Sequence, residues 1–91
     1  MNSFVIENKL IEIINNFVPV ACLINSKTSC EVRHKCLHII MSNSEQAILF
    51  ICTLEEEFEI EISDEDLTLD NMLSYETIKQ LLIGYIAKGN E

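Results

Sequence analysis

The sequence predicts an all-α domain, a small bundle of three main helices plus one short helix, and three observations carry that expectation. The 91-residue chain holds two glycines and one proline, too few turn formers for many short strands. Apolar residues recur at helical spacing in three separate segments. One stretch, 58–62, alternates apolar and acidic residues, but no second such run exists to pair with it, and an isolated strand is unstable. The length suits one domain, 1–91, built around a single small core.

The first helix is expected over about 3–17. Ile6, Leu10, Ile13, Ile14 and Phe17 fall on one stripe, with Asn2 or Ser3 placed to cap it. Pro19 and the β-branched residues around it end the pattern. Residues 18–43 read as a long loop. Asn25-Ser26-Lys27-Thr28-Ser29 has turn composition, and Cys30 to Met41 is open to a short helix or to irregular structure. This is also the basic stretch, with Lys27, Arg33, His34 and Lys35. A second main helix is expected over about 44–58, capped by Ser44, with Ala47, Ile51, Leu54 and Phe58 facing the core. Phe58 to Ile62 is then an extended connector. Ser63 and Asp66 form a capping-box variant opening a short helical turn over about 64–70, with Leu67 and Leu69 dipping inward. The last helix is expected over about 74–88, where Thr77, Ile78, Leu81, Leu82 and Tyr85 form the stripe after Ser74. Met41 and Met72 read as core or edge fillers.

Charge narrows the function classes. Asp and Glu outnumber Lys and Arg 15 to 6, giving a formal net charge of −9 at pH 7. Such an excess repels phosphate backbones, so nucleic acid is not expected as a partner. It steers the chain toward basic protein surfaces. The apolar residues of 4–17 are interrupted by Glu7, Asn8, Lys9 and Glu12, which fits neither a secretory h-region nor a membrane span. A cytoplasmic monomer is the expectation, with Cys22, Cys30, Cys36 and Cys52 as reduced thiols.

A more specific pattern lies in residues 43–86. The run Leu54-Glu55-Glu56-Glu57-Phe58-Glu59-Ile60-Glu61-Ile62-Ser63-Asp64-Glu65-Asp66-Leu67, followed by Thr77-Ile78-Lys79-Gln80-Leu81-Leu82, resembles the acyl carrier protein family. In that family a serine opens the second helix fourteen residues before the phenylalanine, and counting back from Phe58 reaches Ser44. The resemblance implies a 4′-phosphopantetheine arm joined to Ser44, flanked by Asn43 and Glu45, with acyl or aminoacyl cargo held as a thioester. It implies no catalytic residue in the chain itself. The partners would be a phosphopantetheinyl transferase, a loading enzyme and an acceptor synthase in a fatty-acid, polyketide or peptide pathway, docking through basic patches. Ile48 and Leu49 are the apolar docking candidates, and Glu55 and Glu56 the charged ones. Nine carboxylates fall in residues 55–70, and no Lys or Arg lies between Lys35 and Lys79. The chain departs from the family pattern at Glu45, where Leu or Ile is usual, at Leu49, often acidic, and at the missing upstream Gly. An unmodified, carrier-like interaction module is therefore the alternative.

Other chemistries fit less well. Cys30, His34, Cys36 and His38 show none of the paired spacing of zinc sites. If helical, Cys30, His34 and His38 would share a face that Cys36 leaves. Ser44 lacks a Gly-x-Ser-x-Gly setting. Asp64, Asp66 and Asp70 lack the central Gly and terminal Glu of a calcium loop.

Overall fold

The computed structural model describes residues 3–25 and 27–89, and every regular element among them is helical. In chain order these are α1 (Ser3–Asn15), a 3-10 turn (Val20–Cys22), α2 (Cys30–Met41) and α3 (Ser44–Phe58). A second 3-10 turn (Asp64–Asp66), α4 (Leu69–Met72) and α5 (Tyr75–Gly89) follow. The all-α class is as the sequence predicts, but the main helices number four among the described residues, not three. Helix α1 packs on α3 and α5, and α2 on α3, α4 and α5. No single helix among the described residues is long and apolar enough to cross a membrane.

Helix α1 buries Ile6, Leu10, Ile13 and Ile14, as its periodicity requires. It stops at Asn15, two residues short of expectation, because the Asn15 side chain is turned to other work. Its amide donates to the Ile24 carbonyl at 2.9 Å and its oxygen accepts the Ile24 N–H at 2.8 Å. Phe17 still reaches the core, edge-on to Phe50 with centroids 5.6 Å apart. Of the two cap candidates, Asn2 lies outside the described residues, as does Ser26 in the loop, and Ser3 is the first residue of α1.

The largest departure is α2, a 12-residue helix where the sequence left open a short helix or irregular structure within a long loop. Ser29 caps it through the Val32 N–H, and its inward stripe is Arg33, Cys36, Leu37 and Ile40. Two of those four are not conventional core residues, which hides the periodicity. Arg33, a member of the basic stretch, is 4 % exposed. One of its terminal nitrogens donates to Glu7 of α1 at 3.1 Å and the other to the Asn25 carbonyl at 3.2 Å. Its guanidinium lies over the ring of Tyr75 of α5, 4.4 Å from the centroid. A buried cation persists only when paired and hydrogen-bonded, and this one ties three segments together.

Helix α3 has the expected bounds. Leu54 and Phe58 are buried, but so is Phe50, while Ala47 and Ile51 are only half-buried. The helix closes on Glu59 in the left-handed region at φ 53°, and the Ile60 N–H returns to the Glu55 carbonyl at 3.0 Å. Residues 60–63 then run as a non-helical connector with Ile62 buried. The single turn expected over 64–70 divides in two. Thr68 caps α4 through the Asn71 N–H, Leu67 is half-buried, and Leu69 points outward at 62 % exposure instead of into the core. Met72, also on α4, is the residue that goes in. Tyr85 of α5 fixes this region: its hydroxyl accepts the Ser63 N–H at 2.9 Å and donates to the Asp66 carboxylate. That bond to Asp66 holds the Tyr85 phenol above its ordinary pKa.

Candidate functional site

The N-terminus of α3 is built by Asn43 and not, as the sequence reading had it, by Ser44. Asn43 sits in an extended conformation and its side-chain oxygen accepts the N–H groups of Glu45 at 3.0 Å and Gln46 at 3.2 Å. Its carbonyl takes the first helical bond, from the Ala47 N–H at 2.9 Å. Asparagine and serine are nearly equivalent caps, so the sequence offers both positions and the chain uses the earlier one. Ser44 becomes the first residue of the helix proper. Replacing Asn43 by Ala is expected to cost ~1 kcal/mol and lower Tm by about 4–8 °C, read by thermal unfolding.

Moving the cap one residue back frees the serine. Ser44 is exposed, and among the described residues its hydroxyl makes no hydrogen bond. Ser42, two residues earlier, differs: its hydroxyl donates to the Ile39 carbonyl at 2.7 Å. Asn43 already occupies two amides at the helix start, so what remains for an anion beside Ser44 is chiefly the positive end of the α3 dipole.

Ser44 stands on the rim of an apolar groove of about 320 Å³. Met41 at the end of α2 and Ala47, Ile48 and Ile51 of α3 line it, together with Leu67, Thr68, Leu69 and Met72. A second hollow of about 240 Å³, lined by His38, Met41, Ser42, Leu69 and Leu73, shares Met41 and Leu69 with it. The half-burial of Ala47 and Ile51 and the outward turn of Leu69 thus have one explanation: they line this groove. Of its walls, the sequence marked Ser44 and Ile48 for function. The others were read as core or filler, because a groove between α3 and α4 has no signature in either segment alone.

The remaining site candidates divide by exposure. Glu45 and Glu56 are exposed, and Ile48 and Leu49 are 62 % and 58 % exposed, an apolar pair on the outer side of α3. Glu55 is half-buried, and its carboxylate accepts the Ile62 N–H at 2.9 Å, so it braces the connector after α3. Glu57, Glu59, Glu61, Asp64, Glu65 and Asp70 are all exposed and extend the acidic surface.

All four cysteines are free thiols. Cys30 and His38 are exposed, His34 is half-buried and Cys36 is buried. Among the described residues no group of three or more His, Cys, Asp or Glu is placed to hold a metal ion. No family model, no curated protein and no solved structure matches this chain.

Proposed function

We propose that this chain is a carrier protein of the acyl-carrier type, bearing 4′-phosphopantetheine on the Ser44 hydroxyl. The observation that carries the reading is the setting of Ser44: an exposed, unbonded hydroxyl at a helix N-terminus, on the rim of an apolar groove. The arm would supply a thiol on which an acyl or aminoacyl group rides as a thioester. The chain's own residues would do the rest. Asn43 fixes the start of α3 and with it the direction of the Ser44 side chain. The α3 dipole favours the phosphodiester. Ile51, Leu67 and Met72 line the apolar groove that opens beside the attachment point. Exposed Ile48 and Leu49, beside the acidic run through Glu56, offer a docking face for enzymes with basic patches, in a cytoplasmic pathway.

The direct test is intact mass after incubation with coenzyme A and a broad-specificity phosphopantetheinyl transferase. Gain of one phosphopantetheine is the expected result, and an unchanged mass counts against the reading.

One observation favours a second reading. Glu45, exposed and adjacent to Ser44, places a carboxylate where the family presents Leu or Ile to the transferase. An unmodified, carrier-like interaction module would retain the fold and the acidic face without the arm. Under the carrier reading, Glu45→Leu is expected to raise the initial rate of transfer about tenfold, the effect of ~1.4 kcal/mol on the barrier, with the wild-type chain still modified. Modification seen only in Glu45→Leu would favour the second reading.

A further inference from the structure

The carrier reading makes no use of the cysteines, yet two of them meet. Cys22 ends the 3-10 turn Val20–Cys22, and Cys36 lies in the middle of α2 on its buried stripe. The Cys36 sulfur donates to the Cys22 carbonyl oxygen at 3.4 Å. A carbonyl oxygen lies about 2.4 Å from its own Cα, so the Cys36 sulfur is within about 6 Å of the Cys22 Cα. A disulfide spans about 4.4–6.8 Å between Cα atoms and about 3.5–4.5 Å between Cβ atoms, so bridging the pair takes a local rearrangement of one segment. The turn is the segment to rearrange. It is three residues long and exposed at Val20 and Ala21, Cys22 itself packs against the core, and the Cys22 N–H bonds at 2.8 Å to Pro19, just before the turn. The next fixed point is Ile24, clamped by Asn15.

We propose that Cys22 and Cys36 are an oxidisable pair, which hydrogen peroxide converts to an intramolecular disulfide joining the Val20–Cys22 turn to α2. Cys22 is the half-exposed member and meets the oxidant first. Its thiolate attacks one peroxide oxygen and the O–O bond breaks. Cys22 becomes a sulfenic acid and the other oxygen leaves as hydroxide, which takes up a proton to give water. The Cys36 sulfur then attacks the Cys22 sulfur, its thiol proton leaves with the sulfenic hydroxyl as a second water, and the S–S bond forms. Two thiols and one peroxide give one disulfide and two waters. Burial, and secondarily the neighbouring Cys22, pushes the Cys36 thiol above its ordinary pKa. Cys36 is therefore the less reactive member toward the oxidant, and its part is the slower resolving attack on the Cys22 sulfur. Cys30 and Cys52 are exposed and stand outside the pair.

This inference stands independently of the carrier reading, since neither Ser44 nor the groove enters it. The test uses the full chain with Cys30→Ser and Cys52→Ser, so that only the pair remains. After native treatment with hydrogen peroxide, denaturation and alkylation, the count of reactive thiols is expected to fall from two to none. The mass should drop by two hydrogens, peptide mapping should join Cys22 to Cys36, and dithiothreitol should restore both thiols. With Cys36→Ser added, the Cys22 sulfenic acid should persist and be trapped by dimedone. Two alkylatable thiols after treatment, a covalent dimer through Cys22, or a bridge formed only in denaturant would each overturn the proposal.

Discussion

Ser44→Ala is expected to abolish phosphopantetheine attachment completely without lowering Tm. The two halves of this prediction rest on the same finding. Asn43, not Ser44, accepts the amides at the start of α3, so the serine hydroxyl contributes nothing to capping. Ser44 is exposed and in the first helical position, where alanine has slightly better helix propensity, worth less than about 0.7 kcal/mol. Had Ser44 been the cap, as the sequence alone suggested, its replacement would cost ~1 kcal/mol, and loss of modification would be confounded with loss of helix. Thermal unfolding and intact mass on the same preparation separate the two effects. A drop in Tm equal to that of Asn43→Ala would show that the capping geometry is misassigned.

Phe50→Ala should be the most damaging single change in α3, costing about 3–5 kcal/mol by urea unfolding. Phe50 is fully buried and meets Phe17 edge-on at 5.6 Å, at an interplanar angle of 85°. That contact joins α3 to the segment just after α1, so its removal opens a cavity and loosens the helix that positions Ser44. A chain of this size has a total stability of about 5–14 kcal/mol, so the variant would be marginal at the lower end of that range. The neighbouring position is the control. Leu49 is 58 % exposed, and Leu49→Ala is expected to change stability by less than about 0.5 kcal/mol. Equal effects at 49 and 50 would mean that the rotation of α3 is wrong.

The same pair shows what the sequence could and could not reveal. The bounds of α3 were legible because a capping residue, a helical apolar pattern and the connector after Phe58 agree on them. Its rotation was less so. With Ile48, Leu49, Phe50 and Ile51 consecutive and apolar, periodicity alone cannot say which of the four is buried, and Phe50 was passed over for Ala47. Helix α2 was illegible for a different reason. Half its inward stripe is Arg33 and Cys36, and a buried arginine is recognisable only once Glu7, the Asn25 carbonyl and the Tyr75 ring are seen around it. Leu69 failed in the opposite sense: an apolar residue near a capping signal suggested core, whereas it borders a groove that exists only when α2, α3 and α4 come together. That Ser44 stands at the start of α3 was legible in the helical pattern that ends at Phe58. The serine's freedom from hydrogen bonding depended on which neighbour took the cap, and only the folded backbone decides that.

The central claim concerns one oxygen atom, and it is best tested at that resolution. After incubation with coenzyme A and a broad-specificity phosphopantetheinyl transferase, the chain is digested and the peptide holding Ser42, Asn43 and Ser44 is fragmented by tandem mass spectrometry. Attachment at Ser44, with Ser42 and Ser63 unmodified, is the expected result, since the Ser42 hydroxyl is bonded to the Ile39 carbonyl and Ser63 caps the 3-10 turn through the Glu65 N–H. A group found on Ser42 or Ser63, or no group on any serine of the wild-type chain, would contradict the account.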